Sequence, residues 1–139
     1  MDLGKTARMG VTVTVRDETR PGSVTGTLTL ADVPVAITLR DLIRTRVREE
    51  VARANAEPRG EVRTLVEPVD AERTLNGYRL PEARRIDWEK QADVALEAFQ
   101  RNGFFVLVGG RQVDDLDAER ELDVDTDIRF VKLTPLVGG

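Results

Sequence analysis

The strongest constraint on the fold is a hydrophobic alternation near the start of the chain. The run VTVTV at Val11–Val15 alternates valine and threonine, and TGTLTLADV at Thr25–Val33 repeats the alternation. A period of two is typical of half-buried strands, because successive side chains point to opposite faces of the sheet. Pro21 and Gly22 lie between the two runs and form a turn signal. The sequence therefore predicts an antiparallel β-hairpin.

The following segment, ITLRDLIRTRVREEVARAN, changes to the helical period. Its apolar residues fall on one stripe, with arginine and glutamate opposite: Leu39, Leu42, Ile43, Val47, Val51 and Ala54. Thr38 is a suitable N-cap, and Asp41 stands where a capping box has its acidic residue. Asn55 and Pro58 mark the end of this predicted amphipathic helix.

A second helix is predicted by DWEKQADVALEAFQRNG. Asp87 is its N-cap, and Asn102 and Gly103 are its stop signal. Its apolar stripe consists of Trp88, Ala92, Leu96 and Phe99. We expect Trp88 and Phe99 to pack into the core, because large aromatic side chains dominate core burial. The proline- and glycine-containing segment before this helix predicts an irregular connection with short extended pieces.

The last third of the chain predicts further strands. FFVLV at Phe104–Val108 is apolar at every position, so both faces of this strand should be covered. GGRQV predicts a turn into a short strand, the acidic run at 114–127 predicts a surface loop, and IRFVKL predicts the last strand. The predicted fold class is α+β, with the order ββα, an insertion with a helix, and βββ. That is the order of a β-grasp, in which the last strand lies beside the first.

The composition excludes several kinds of function. A length of 139 residues suits one domain, and the absence of cysteine and histidine excludes disulfides, Cys/His zinc sites and imidazole catalysis. The net charge of −4, with dispersed basic residues, argues against a nucleic-acid partner. We also expect a cytoplasmic protein with no membrane partner, since no stretch has the roughly 20 apolar residues of a membrane span.

The acidic run contains a D-x-D-x-D pattern formed by Asp123, Asp125 and Asp127. The pattern suggests calcium, but it lacks the glycine and the glutamate that a calcium loop needs at its sixth and twelfth positions. We therefore expect no metal site and a solvated acidic rim. A docking surface for a basic partner is the alternative.

The sequence finishes on RFVKLTPLVGG. Pro135 cannot donate to a strand ladder, so it should end the last strand and release residues 134–139 as a flexible tail. Such a tail reaches roughly 20 Å at about 3.3 Å per residue. Leu136 and Val137 would contact a groove, and Gly138 and Gly139 lack side chains that would block a narrow active site. The tail is predicted to be presented to another enzyme.

The C-terminal third resembles the ubiquitin-like β-grasp superfamily, in particular its bacterial sulfur-carrier branch, the molybdopterin-synthase small subunit and the thiamine sulfur carrier. VGGRQVDDL and DTDIRFVKLTPLVGG carry the resemblance. The matching residues are Gly110, Arg111, Asp127, Ile128, Phe130, Pro135, Val137, Gly138 and Gly139. The resemblance implies one ubiquitin-like domain over residues 1–139, in which residues 57–103 are an insertion without counterpart in a minimal member.

The resemblance also implies a function. A Rossmann-type activating enzyme would adenylate the Gly139 carboxylate with ATP, so the chain would be a substrate that needs neither catalytic residues nor a cofactor. A protein modifier would then be joined to target lysines through a conjugating enzyme, and the long insertion favours this reading. The alternatives are a sulfur carrier that forms a C-terminal thiocarboxylate for cofactor biosynthesis, and a non-conjugated binding module. An independent enzyme ranks last.

Overall fold

The structure is a computed structural model, and it describes residues 10–20, 22–56, 61–62, 64–67, 72–73, 78–79 and 86–133. Its strands are β1 (Val11–Glu18), β2 (Val24–Val33), β3 (Ala36–Thr38), β4 (Glu61–Val62), β5 (Glu72–Arg73), β6 (Tyr78–Arg79), β7 (Phe104–Val108), β8 (Arg111–Val113), β9 (Glu119–Glu121) and β10 (Ile128–Lys132). Its helices are α1 (Leu39–Ala56) and α2 (Trp88–Gln100). The chain divides into two compact units, Met1–Leu42 with Asn102–Gly139, and Ile43–Arg101.

The first unit contains a five-stranded mixed sheet in the order β2-β1-β10-β7-β8. β1 and β2 pair antiparallel, which confirms the predicted hairpin. β10 lies parallel to β1, with Val15 opposite Ile128, and antiparallel to β7. The prediction that the last strand lies beside the first is therefore confirmed, and so is the α+β class.

One face of this sheet holds the apolar side chains that the alternation predicts. Val13 and Val15 are fully buried, whereas the threonines between and beside them are exposed. Phe130 of β10 stacks on Phe104 of β7, with ring centres 5.9 Å apart. On the opposite face, Phe105 is only half-buried. The prediction that both faces of β7 are covered therefore holds only in part.

The acidic run is more ordered than the sequence predicts. Its residues Glu119–Glu121 form β9, which pairs antiparallel with β3 in a two-stranded sheet. The same region accepts hydrogen bonds from the first turn of α1, whose N–H groups have no partner within the helix. The Leu39 N–H donates to the Ala118 carbonyl at 3.1 Å, and the Arg40 N–H donates to the Leu116 carbonyl at 2.8 Å.

The predicted helix caps are confirmed. The Thr38 hydroxyl accepts a hydrogen bond from the Asp41 N–H at 3.1 Å. The Asp87 carboxylate accepts from the Glu89 N–H at 3.0 Å and from the Lys90 N–H at 3.4 Å. Both capping side chains satisfy backbone donors that the helix leaves unpaired.

The second unit contains the rest of α1, all of α2 and a small sheet in the order β4-β6-β5. The predicted apolar stripe of α1 is buried along its whole length. The buried residues of α2 are Gln91, Ala92, Ala95 and Phe99. The three short strands agree with the extended pieces that the sequence predicts in this segment.

Replacing Asp87 by alanine is expected to lower the free energy of unfolding by about 1 kcal/mol, because two N–H groups of α2 lose their acceptor. Urea denaturation followed by circular dichroism measures the loss. Asp93→Ala is the matched control, because Asp93 is an exposed aspartate of the same helix and should change stability by less than about 0.5 kcal/mol. Equal losses in the two variants would contradict the capping role.

Candidate functional site

The predicted site residues lie outside the described part of the chain. Pro135, Leu136, Val137, Gly138 and Gly139 belong to residues 134–139, and the description stops at Leu133. The structure therefore describes the strand that precedes the tail and not the tail itself. The proposed roles of the five tail residues stay predictions.

The strand before the tail is held on both sides. β10 lies between β1 and β7, and Phe130 and Val131 are fully buried. The Leu133 N–H donates to the Gly103 carbonyl at 3.1 Å, so backbone hydrogen bonding continues beyond the last residue of the strand. The Leu133 side chain is 47% exposed. The fixed backbone thus reaches the surface directly before the predicted tail.

A charged cluster joins β1 to β10. Arg129 Nε donates to Asp127 Oδ2 at 2.9 Å, and Arg129 Nη1 lies 3.4 Å from Glu18 Oε2. Glu18 is only 1% exposed, and its other oxygen accepts from the Gly22 N–H at 3.1 Å. A single guanidinium therefore lies near the carboxylate of Glu18 at the end of β1 and pairs with that of Asp127 directly before β10. Because removing one member of a buried charge group leaves the other uncompensated, this cluster favours the observed parallel pairing.

The predicted D-x-D-x-D pattern forms a turn. Asp123 Oδ1 accepts from the Asp125 N–H at 2.8 Å and from the Thr126 hydroxyl at 3.1 Å. The carboxylate of Asp127 pairs with Arg129. An open cleft of about 830 Å³ lies between this turn and the β7–β8 turn at Gly109 and Gly110. Two of the three aspartates of the pattern therefore have structural partners in the turn.

The described residues bear on two expectations, that of no metal site and that of no membrane span. Within residues 10–133, apart from the gaps given above, no group of three or more aspartates and glutamates is placed to hold a metal ion. No helix in the described part of the chain is long and apolar enough to cross a membrane.

The expectation that Trp88 packs into the core holds only in part. Phe99 is buried as predicted, but Trp88 is only half-buried and lies beside the side chains of Arg44 and Arg48. The position of Trp88 at the first residue of α2 explains the difference, since the start of a helix carries polar capping groups that stay near solvent. The spacing of the two arginines, one helical turn apart, is the only sequence signal for this arrangement.

The sequence pattern predicted arginine and glutamate opposite the apolar stripe of α1, but two of these residues are buried. Arg46 and Glu50 are 1% and 7% exposed, and Arg46 Nη2 donates to Glu50 Oε2 at 3.0 Å. Glu50 Oε1 also accepts from the Leu65 N–H at 3.2 Å. A buried charge needs partners of this kind. The i, i+4 spacing beside the apolar stripe is a signal that could have revealed the pair.

Further hydrogen bonds connect the inserted segment within the second unit. The Asn55 side chain bonds both the N–H and the carbonyl of Ile86, at 2.9 and 3.1 Å. The buried Gln91 side chain donates to the Val66 carbonyl at 2.9 Å. The described parts of the segment at 57–103 are therefore joined to α1 and α2 by specific contacts.

Comparisons with protein-family models, with curated proteins and with solved structures found no match to this chain.

Proposed function

We propose that the chain is a bacterial-type ubiquitin-like protein modifier with a β-grasp fold. Its Gly139 carboxylate is activated by a separate ATP-dependent enzyme and then joined to lysines of target proteins. The observation that carries the proposal is the sheet order β2-β1-β10-β7-β8, with β10 central and parallel to β1. This order is compatible with a β-grasp, and β10 ends at Lys132, a few residues ahead of the diglycine in the sequence.

The geometry before the tail supports presentation of a substrate. Leu133 is held by a backbone hydrogen bond to Gly103 and is largely exposed. Pro135 follows two residues later and cannot extend the ladder, because it has no N–H group. The tail would start from this fixed backbone and end on Gly138 and Gly139, which have no bulky side chains. Such a tail suits insertion into a narrow active site.

The proposed chemistry needs no catalytic side chain on this protein. The Gly139 carboxylate attacks the α-phosphorus of ATP, pyrophosphate leaves, and an acyl adenylate forms. A thiol of the activating enzyme displaces AMP, and the resulting thioester passes through a conjugating enzyme to a lysine amine. The reacting centre is the α-phosphorus in the adenylation and the acyl carbon of Gly139 in every later step. Every general acid or base would therefore come from the partner enzymes.

The contacts of the described parts of the insertion favour a modifier over a sulfur carrier. Asn55, Glu50 and Gln91 make side-chain hydrogen bonds to backbone groups of the inserted segment. These bonds join its described parts to α1 and to one another, and we propose that the second unit provides a surface of its own. A receptor for the attached modifier needs such a surface, whereas transfer of a sulfur atom uses the tail alone.

Mass spectrometry of the protein from its native host tests the proposal. Trypsin cuts after Lys132, so a modified lysine is expected to carry the segment Leu133–Gly139. Peptides with this branch would support the modifier. An intact chain with one oxygen of its C-terminus replaced by sulfur would instead support the sulfur carrier. Finding neither product under several growth conditions would contradict activation of Gly139.

A further inference from the structure

Trp88 lies beside two arginine side chains of the preceding helix. The guanidinium carbon of Arg44 is 5.1 Å from the centre of the Trp88 ring, and that of Arg48 is 5.7 Å from it. Both distances lie within the range of a cation–π interaction. Arg48 is exposed, and Arg44 and Trp88 are half-buried. These three residues form the arginine–tryptophan cluster, which lies entirely within the second unit.

The arginines of this cluster differ from other arginines of the same unit. Arg46, Arg53 and Arg101 each form an ion pair with a glutamate one turn away on their own helix. Among the residues that the structure describes, no carboxylate forms an ion pair with either arginine of the cluster. Two cations one turn apart repel each other, which normally disfavours this spacing.

The indole ring compensates the charges of the cluster only in part. A cation–π contact uses the face of the guanidinium or its edge, whereas the five N–H donors of each arginine need oxygen acceptors. A carboxylate would satisfy them with two parallel, charge-assisted hydrogen bonds and would also relieve the repulsion between Arg44 and Arg48.

We propose that the arginine–tryptophan cluster is a docking site for an acidic peptide segment of a partner protein. Carboxylates of the peptide bind the guanidinium groups of Arg44 and Arg48, and its aliphatic carbons lie against the exposed part of Trp88. This proposal does not rest on the function proposed for Gly139.

The small extent of the positive patch selects a short acidic peptide over other anionic partners. The whole chain carries a net charge of −4, and its repulsion grows with the extent of an anionic partner, so a nucleic acid or an anionic membrane is repelled more strongly than a short peptide. Those partners need a broad positive surface. Two adjacent guanidinium groups instead match a few carboxylates spaced along one extended peptide.

The test uses Trp88 as its own reporter, because it is the only tryptophan of the chain. A hexaglutamate peptide is titrated into the full chain at low salt, and the indole N–H resonance and the fluorescence of Trp88 are followed. A saturable change in both signals is expected. It should be lost in about 1 M salt, where the Debye length falls to about 3 Å. Absence of a saturable change at low salt would overturn the proposal.

Matched variants separate the cluster from the total charge. In Arg44→Gln/Arg48→Gln, the affinity for hexaglutamate is expected to fall at least about tenfold, since the charge-assisted hydrogen bonds are removed. Arg53→Gln/Arg101→Gln loses the same charge at exposed residues of α1 and of the C-cap of α2, and its affinity should stay within about twofold. Circular dichroism confirms that both variants are folded. Equal weakening in both would overturn the site.

Two further ligands and one deletion complete the test. A single-stranded oligonucleotide and phosphatidylserine vesicles are titrated in the same way, and tighter binding of either one than of hexaglutamate would overturn the choice of partner. A chain without Gly139 should bind hexaglutamate unchanged. That result distinguishes a failure of the docking site from a failure of the proposed tail chemistry.

Discussion

Removal of Gly139 is expected to eliminate every covalent product of the tail in the native host, both lysine conjugates and thiocarboxylate. The reason is chemical, since the activated group is the carboxylate of that residue, and its removal places the reacting carbon one residue away from the active site of the partner. A displacement of this size is larger than the roughly 1 Å that already reduces rates by about 10²-fold. Quantitative mass spectrometry of lysine peptides and of the intact chain measures the result.

The control must lose a glycine without affecting the tail. Gly26→Ala is suitable because an added Cβ at Gly26 meets no atom within 4 Å, and this variant should give products at the wild-type level. The thermal midpoint of the Gly139 deletion should also equal that of the wild type, since β10 ends at Lys132. Conjugates that persist in the deletion variant would contradict the proposed function.

A second tail variant distinguishes access from chemistry. Gly138→Val keeps a C-terminal glycine carboxylate, but it adds a branched side chain where the backbone must approach the partner closely. We expect at least about a tenfold loss of products, with the fold unchanged. If Gly138→Val forms products as well as the wild type while the Gly139 deletion forms none, the carboxylate is required and the narrow approach is not.

Local signals predicted the elements whose determinants lie within a few residues. Thr38 and Asp87 start the two helices because a side-chain oxygen satisfies backbone donors two or three residues further on. The valine alternation predicted β1 because a period of two can be recognised within five residues. The turn at Gly109 and Gly110 was also predictable, because both residues have positive φ, which glycine adopts readily.

Elements that depend on distant pairing were missed. β3 and β9 have three residues each and pair only with each other, across more than the length of the insertion. Glu119–Glu121 is fully charged and exposed, so it carries no alternation from which a strand could be predicted. Its pairing with Ala36–Thr38 is a tertiary contact, and tertiary context overrides local strand propensity.

The two candidate sites also differ in whether local sequence could predict them. The role of the tail was predicted from its sequence, because the proposed chemistry depends on the residue types themselves, two glycines after a proline, and it stays a prediction. The arginine–tryptophan cluster was not identified, because Trp88 comes from a different helix than Arg44 and Arg48. The sequence does not distinguish a half-buried tryptophan from a buried one, because the burial of Trp88 depends on the residues that surround it in the fold.

Replacing Arg46 by methionine is expected to lower the free energy of unfolding by about 3–5 kcal/mol, which is the usual effect of removing one partner of a buried ion pair. Arg46 is 1% exposed, and its Nη2 lies 3.0 Å from Glu50 Oε2. Without the guanidinium, the buried Glu50 carboxylate loses its charged donor, although it keeps the hydrogen bond from the Leu65 N–H. Urea denaturation of the purified chain measures the change.

The exposed pair Arg53–Glu49 provides the matched control. It has the same i, i+4 spacing on the same helix and a distance of 2.8 Å, but its side chains are 56% and 38% exposed. Arg53→Met should therefore change the free energy of unfolding by less than about 1 kcal/mol, since solvent screens exposed pairs. Similar losses in Arg46→Met and Arg53→Met would show that burial does not determine the strength of the Arg46–Glu50 interaction.

The double variant Arg46→Met/Glu50→Leu separates the energy of the ion pair from the penalty of an unpaired charge. Apolar side chains of similar size remove both desolvation costs, so we expect the double variant to be more stable than Arg46→Met alone. It should not exceed the wild type by much, because the Leu65 N–H loses its acceptor, at a cost of about 1–3 kcal/mol. A double variant less stable than Arg46→Met would mean that Glu50 stabilises the second unit chiefly through contacts other than its ion pair with Arg46, such as the hydrogen bond from the Leu65 N–H.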